Sequence, residues 1–160
     1  MSKTYYNDAV IGNSKILGCV TRMGELVRLF WPNIDYPQHI ERFYAGIHVK
    51  SEGESCTSWF HDNTQWQHSQ EYAGDTNILR TICTNTGSGI KVTHHDYAAP
   101  GSDIVVRSYE VENTDVCGKE VDFVVFSAFV SSIYELRSAL FDYGTDALVH
   151  YRHGYYIAIV

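Results

Sequence analysis

The stretch ILRTICTNTGSGIKVTHH, residues 78–95, decides the fold class because it holds two strand-like segments on either side of a glycine-rich turn. In residues 90–95, apolar or aromatic side chains alternate with polar ones, as in a strand with one face on a core and the other in water. The turn TGSG, residues 86–89, lacks the helix and the lysine that follow in a phosphate-binding loop. The stretch therefore predicts a β-hairpin.

The rest of the chain has the same organisation. Turn signals recur about every 8 to 14 residues, separated by short stretches rich in Val, Ile, Thr and aromatic residues. That spacing is typical of an all-β sandwich or barrel, and we predict an antiparallel β-sandwich that forms a single domain over residues 1–160. Residues 132–135 fit a capping box, which predicts at most a short helical turn through Leu140. The other strand candidates are residues 15–21, 25–30, 65–72, 109–112, 123–130, 139–143, 148–151 and 155–160.

Two of these candidates are apolar on both faces. Residues 123–130 predict either a central strand covered on both sides or a strand between a sheet and a partner surface. Residues 155–160, YYIAIV, carry no charge and no proline, so an exposed edge of this kind would be prone to aggregation. We therefore predict a buried central strand there, a native polypeptide that continues past Val160, and self-association of the 160-residue chain.

Charge and composition exclude several classes of function. The net charge is −7 and no cluster of Lys and Arg occurs, so neither nucleic acid nor an anionic membrane is an expected partner. No apolar run approaches the ~18 residues of a membrane span, and the N-terminus lacks the apolar core of a signal peptide. The four cysteines are not at metal-clip spacing. We expect reduced thiols and a cytoplasmic location, which leaves a secreted, disulfide-bonded product open.

No constellation of catalytic residues stands out. The run His94-His95-Asp96 offers three metal-ligand types, but neighbours in a strand point to opposite faces, so the two histidines are not expected to share a metal. The chain has 19 acidic residues, none marked out as a pair, and lacks the G-x-S-x-G motif of a nucleophile elbow. We predict no catalytic residues, no metal site and no cofactor.

The N-terminal third resembles the start of bacterial and archaeal members of glycoside hydrolase family 15, the glucoamylase- and glucodextranase-like enzymes. Those chains open with I-G-N-G, a strand, a glycine turn, a second strand and a W-P-x-x-D-x-P stretch. Here Ser14 stands in place of the second glycine, and the match covers roughly residues 6 to 48. The matching segments are AVIGNSKIL (9–17), Gly24, LFWP (29–32), Asp35, PQH (37–39) and AGI (45–47).

The resemblance implies an architecture. In that family a large N-terminal sandwich, of the galactose-mutarotase-like super-sandwich type, precedes an (α/α)6 barrel that carries both catalytic glutamates and inverts the anomeric carbon. No such barrel follows within these 160 residues, so no catalytic residue is transferred to this sequence and the chain is predicted to be inactive alone. The implied partners are the barrel of the same polypeptide and an α-glucan. The family's sandwich is longer than this chain, which therefore corresponds to an N-terminal fragment holding all or part of it.

The stretch FWPNIDYPQH, residues 30–39, is the candidate site. Its two prolines fix φ and remove N–H donors, so it cannot pair as a central strand. Trp31, Tyr36 and His39 supply aromatic and polar surface and Asp35 supplies an acceptor, which suits docking on a second domain near the rim of its sugar pocket. The alternative is that Trp31 plugs the end of the sandwich.

The sequence leaves two rival functions open. A free-standing carbohydrate-binding module would need a row of exposed aromatic side chains on one sheet face, with Trp59 and Trp66 as candidates. A structural sandwich without any sugar ligand would need no such row of exposed aromatic side chains. Binding of maltodextrin separates the module from an accessory domain.

Overall fold

The computed structural model describes residues 7–35, 38–51, 54–129, 137–152 and 154–160, and in these ranges it contains thirteen β-strands and no helix. The predicted all-β, antiparallel sandwich class is confirmed. The chain divides between Ala128 and Phe129 into two compact units. No described residue belongs to a helix long and apolar enough to cross a membrane.

The first unit contains two sheets. Six strands form one sheet in the order β1-β2-β3-β4-β10, with β5 paired to β4, and four strands form the other in the order β6-β7-β8-β9. The six are β1 (Ala9–Gly12), β2 (Leu17–Val20), β3 (Leu26–Phe30), β4 (Ile40–Ser51), β5 (Glu54–Trp59) and β10 (Glu120–Phe129). The four are β6 (Gln67–Tyr72), β7 (Leu79–Asn85), β8 (Ile90–Ala98) and β9 (Val105–Asn113).

A core cluster joins the two sheets. Side chains in β7 and β8 alternate strictly between buried and half-buried positions, so each strand turns one row of residues inward. These rows meet the inward row of β4 in a cluster that buries large apolar surface, the main source of stability in such a sandwich. The cluster comprises Ala45, Ile47, Phe60, Trp66, Cys83, Ile90 and Val92.

The hairpin predicted from residues 78–95 is confirmed. β7 pairs with β8 in antiparallel register from Leu79↔Asp96 to Asn85↔Ile90. The Asn85 side chain accepts a hydrogen bond from the Ser88 backbone N–H at 3.0 Å and so closes the turn. The turn ends at a glycine with φ of +61°, a conformation that other residues rarely adopt.

The second unit is a three-stranded antiparallel meander. It contains β11 (Arg137–Asp142), β12 (Ala147–Arg152) and β13 (Tyr155–Ile159), in that order in the sheet. Asp142 closes the first turn by accepting hydrogen bonds from the Gly144 N–H at 3.1 Å and the Thr145 hydroxyl at 2.6 Å.

Two expectations from the sequence are wrong for the described residues. The segment predicted as a buried central strand of a longer polypeptide forms β13, which ends its sheet here and exposes 69% of Tyr156, so its burial in that polypeptide stays a prediction. Within residues 123–130, β10 ends its sheet and exposes Phe123, Val125 and Phe126, so the central strand covered on both sides is wrong, while the strand facing a partner surface stays a prediction. The helical turn through Leu140 is wrong from residue 137 onward, where β11 begins, while residues 132–136 lie outside the described ranges. For β10, apolar composition was taken for burial, whereas the helical turn was inferred from a capping-box pattern.

Candidate functional site

The candidate loop, residues 31–39, links β3 to β4 and is fixed at its base. The Trp31–Pro32 peptide bond is cis. The His39 backbone N–H donates to the Leu29 carbonyl at 2.7 Å, and His39 Nε2 lies 2.7 Å from the Trp31 carbonyl oxygen. His39 is buried and Trp31 is half-buried. Both ends of the loop therefore belong to the body of the sandwich.

The tip of the loop faces solvent. Ile34 is 67% exposed, and Asn33 and Asp35 beside it are also exposed. The Asp35 N–H donates to the Asn33 side chain at 2.9 Å, a local Asx turn that shapes the tip. Tyr36, the fourth predicted site residue, lies outside the described residues.

Asn13 is a key residue of this end of the molecule that sequence reasoning did not single out. Its Nδ2 donates to the carbonyl oxygens of Ala99 at 2.8 Å and Ser102 at 3.0 Å. Its Oδ1 accepts from the N–H groups of Lys15 at 2.8 Å and Ile16 at 2.9 Å. One side chain thus ties the β1–β2 turn to the β8–β9 loop.

Gly12 precedes Asn13 in the I-G-N motif, and the tight turn explains why this position is glycine. A Cβ at this position would lie 2.7 Å from the Ile16 carbonyl oxygen, closer than real Cβ atoms approach backbone. Only glycine allows the turn to fold this tightly and to present the Asn13 side chain.

Asp103, in the β8–β9 loop, bridges the two segments on which the family resemblance rests. Lys15 Nζ lies 3.1 Å from Oδ1 of Asp103. Hydrogen bonding from the Trp31 side chain, and then from Lys15, holds the pKa of Asp103 below its ordinary value. The segments 9–17 and 29–39 therefore converge at one end of the sandwich, with Asp103 between them.

Two exposed aliphatic side chains lie at this end of the sandwich. They are Ile34 of the candidate loop and Ile104 of the β8–β9 loop, at 57% exposure. Among the described residues, no group of three or more His, Cys, Asp or Glu could hold a metal ion.

The His94-His95-Asp96 run is part of the core. His94 and Asp96 are buried on the inner face of β8, whereas His95 lies on the opposite, half-buried face, as the strand period predicted. His94 Nδ1 is 3.3 Å from Asp96 Oδ2, and Arg107 Nε donates to Asp96 Oδ1. The run therefore serves packing between the sheets.

The two tryptophans considered for sugar binding have different environments. Trp66 is 2% exposed, donates from Nε1 to the Ser58 hydroxyl at 2.6 Å, and packs edge-on against Phe60, so it is a core residue. Trp59 is half-buried and packs edge-on against Tyr44. Only Trp59 can offer a ring to a ligand.

A cleft of about 770 Å³ opens at the opposite end of the sandwich, beside the β7–β8 turn. Its polar groups are largely engaged with one another. The Ser58 hydroxyl donates to Gln65 at 2.7 Å, and the Lys119 ammonium donates to Ser88 and Asp115. The cleft thus has few uncommitted groups for a ligand.

The fold and this end of the molecule define an all-β sandwich module with two motif-bearing segments gathered at one end. The chain is 25% identical over 121 residues to a protein of Methanocaldococcus jannaschii described as an uncharacterized glycosyl hydrolase. The aligned region is 76% of this chain but 18% of that protein, so the chain spans less than a fifth of its relative. The similarity supports a glycoside hydrolase-related family. No protein-family model matches the chain, and no solved structure matches it significantly.

Proposed function

We propose that this chain is the non-catalytic N-terminal accessory domain of a glycoside hydrolase that acts on α-glucans. The catalytic centre is an inverting, glucoamylase-like (α/α)6 barrel in the same polypeptide. The sandwich packs on that barrel and supports it, and the loop tip at residues 33–35 contacts it.

The observation that carries the proposal is the convergence of the two motif-bearing segments. Asn13 and Lys15 of the first segment and Trp31 of the second all act on the β8–β9 loop, Asn13 on its backbone carbonyls and the other two on Asp103. Such an arrangement fixes the base of the candidate loop and leaves Ile34 and Asp35 free at its tip. The similarity to a glycosyl hydrolase more than five times longer than the aligned region supports a role within a larger enzyme.

A fixed base favours docking energetically. Ordering a mobile loop on association costs free energy, roughly 0.5–1.5 kcal/mol for each rotamer-rich side chain immobilised. Here the hydrogen bonds from His39 to the Leu29 and Trp31 carbonyls order the loop ends before any contact forms. Burial of Ile34 against a second domain then contributes its hydrophobic free energy with little of that cost.

The test uses the polypeptide that contains both this chain and the proposed barrel. The double variant Ile34→Ser, Asp35→Ser should lower kcat/KM for maltooligosaccharides by about three- to tenfold, or about 0.7–1.4 kcal/mol of lost coupling. Val116→Ser is the matched control, because Val116 is fully exposed in the β9–β10 loop at the other end of the sandwich. The control should retain full activity.

A second arm uses the 160-residue chain alone. The double variant should unfold at the same urea concentration as the unsubstituted chain, because both side chains are exposed. The chain should also hydrolyse neither maltooligosaccharide, isomaltooligosaccharide nor trehalose. Equal activity of the Ile34/Asp35 variant and the control, or turnover by the chain alone that one acidic substitution abolishes, would contradict the proposal.

A further inference from the structure

The outer face of the six-stranded sheet carries an aromatic corner, which we define as Tyr44, Trp59, His61 and Phe126. In β4, Ala45 and Ile47 are buried against the other sheet, so Tyr44 points to the outer face. His61 follows β5, and its ring centroid is 4.3 Å from that of Tyr44. The corner therefore draws on β4, β5 and β10.

Two rings of the corner, those of Trp59 and Tyr44, are perpendicular to each other. Trp59 lies directly opposite Gly46 in the β4–β5 ladder, and a Cβ at Gly46 would be 2.8 Å from the indole. Glycine thus allows the indole to lie across β4. The Tyr44 ring stands at 85° to the indole with 5.1 Å between centroids, and Phe126 stacks on Tyr44 at 18° and 4.8 Å.

The corner is open to solvent. Phe126 is 41% exposed, and both Trp59 and Tyr44 are half-buried. A Cβ at Gly46 would meet the indole, so the ring lies close against β4. The half-buried Trp59 ring and the Tyr44 ring perpendicular to it form the apolar part of the corner.

The sheet face beside the corner also carries polar groups. Two residues further along the strands on the same face, His48 Nδ1 and Thr57 Oγ1 are 2.8 Å apart. Two residues beyond them lies Lys50, whose ammonium pairs with two carboxylates, Glu120 at 2.8 Å and Asp122 at 2.9 Å. The face therefore offers an imidazole and a hydroxyl group next to the rings, with paired charged side chains further along the strand.

His61 adds a hydrogen-bonding group within the corner. Its Nδ1 is buried and has no hydrogen-bond partner among the described residues. Burial lowers the pKa of His61, so the ring is neutral at pH 7. A ligand for this corner should therefore present an apolar face to the rings and hydrogen-bonding groups at its rim.

We propose that the aromatic corner binds a neutral glucan chain. The C–H face of one pyranose ring stacks on the indole of Trp59, where the negative ring face attracts the polarised hydrogens. The hydroxyl groups of that sugar or its neighbour reach His48 and Thr57, roughly 7 Å along the strands, two residues at the strand rise. The choice of an α-linked glucan rests on the proposed function, whereas the ring geometry does not.

The experiment titrates the 160-residue chain with maltohexaose and follows tryptophan fluorescence and heat of binding. Trp59→Ala should weaken binding by about tenfold or more, and Thr57→Val by about two- to threefold. Tyr143→Ala is the matched control, because Tyr143 is 90% exposed in the second unit and should leave affinity unchanged. If Trp59→Ala does not fold by circular dichroism, Phe126→Ser replaces it and should weaken binding by about threefold.

Saturable binding of maltohexaose that depends on Trp59 or Phe126 supports the proposal. Absence of binding, or binding that the corner variants leave unchanged, would overturn it. Slower hydrogen exchange of the corner's backbone amides in the longer polypeptide without sugar than in the 160-residue chain would also overturn it. The corner would then be a contact with another part of the protein. The accessory function is judged separately by the Ile34/Asp35 variant, so the two proposals can fail independently.

Discussion

Arg107 binds Asp96 through two hydrogen bonds, from Nε to Oδ1 at 2.7 Å and from Nη2 to Oδ2 at 3.2 Å. The same guanidinium donates to the Gly24 carbonyl at 2.5 Å and the Phe43 carbonyl at 3.2 Å, and both acceptors belong to the six-stranded-sheet side. Asp96 is completely buried. One buried ion pair thus joins the two sheets through backbone groups as well as through charge.

Stability should fall in acid as Asp96 is protonated. Burial alone would raise the pKa of Asp96, but the charge of Arg107 and the hydrogen bonds from His94 and Arg107 outweigh it and hold the pKa at about 2. The unfolded value is near 3.8, so this contribution of about 2 kcal/mol is complete above pH 4 and is lost as pH falls toward 2. Urea unfolding between pH 7 and pH 2 measures it.

His94 should produce an earlier step in the same titration. Burial lowers its pKa below the ordinary 6.5, against the opposing effect of Asp96, with Arg107 and His95 adding to the decrease and the Tyr109 ring stacked on it. A depressed histidine pKa means that stability is complete above pH 6.5 and declines below it. A free energy of unfolding that stays constant from pH 7 to pH 2 would contradict both assignments.

Removing one partner of the buried pair should cost far more than removing one partner of an exposed pair. Asp96→Asn leaves the Arg107 charge buried without its counter-ion, and we expect a loss of about 3–5 kcal/mol. Glu112→Gln breaks the exposed pair with Lys91, on the same two strands, and should cost less than about 1 kcal/mol. Chemical denaturation of both variants makes the comparison. Similar losses in the two would show that the pair does not join the sheets as described.

Gly24 should not tolerate a side chain. Its φ is +82°, and a Cβ would lie 2.4 Å from Nε2 of the buried His94. Gly24→Ala therefore combines left-handed strain with displacement of a core ring, for an expected loss of about 2–5 kcal/mol. Gly74→Ala is the control, because its φ is +56° but nothing lies within 4 Å of the added Cβ. That variant should lose only about 1–2 kcal/mol. Equal losses would show that His94 moves aside without cost.

The sequence predicted the elements whose evidence is local. Alternation in residues 90–95, with the glycine-rich turn before them, was sufficient for the hairpin and for the inward direction of His94, because the strand period acts on near neighbours. The pairing of Asp96 with Arg107 depends on the β8–β9 register, which no local pattern specifies. Asn13 was missed for the same reason, since its acceptors Ala99 and Ser102 lie 86 and 89 residues away.

The order of the strands within each sheet was the second feature that the sequence could not predict. Apolar residues on both faces favour a central position only if the whole sheet is known, and β10 and β13 both end their sheets among the described residues. The loop at residues 31–39 could be predicted as irregular from its prolines. Its division into a fixed base at Trp31 and His39 and an exposed tip at Ile34 depends on tertiary hydrogen bonds.

Trp31 should control the ionisation of Asp103. Trp31→Phe keeps an aromatic ring but removes the indole donor, so the pKa of Asp103 should rise toward its ordinary value of 3.8. Lys15→Met should also raise it, because Lys15 lowers this pKa both by a hydrogen bond and by its charge. Carboxyl chemical shifts followed by NMR between pH 2 and pH 6 give both values. A larger rise in the Lys15 variant would show that the bridge depends mainly on charge.

Self-association of the 160-residue chain should occur along β13. The strand ends its sheet, contains no charged residue and no proline, and exposes Tyr156. Such an edge has unpaired backbone N–H and C=O groups that can pair with a second copy. Light scattering coupled to size exclusion should therefore give a mass that rises with protein concentration.

A single charged substitution in β13 tests whether this strand is the contact in self-association. Ala158→Lys places a cation at an exposed position of β13, which natural edge strands use against pairing, and should return the chain to a monomer. Tyr143→Lys introduces the same charge in the exposed turn before β12 and should leave the association unchanged. If both variants associate as the unsubstituted chain does, β13 is not the contact. A chain that stays monomeric at high concentration without any substitution would contradict self-association altogether.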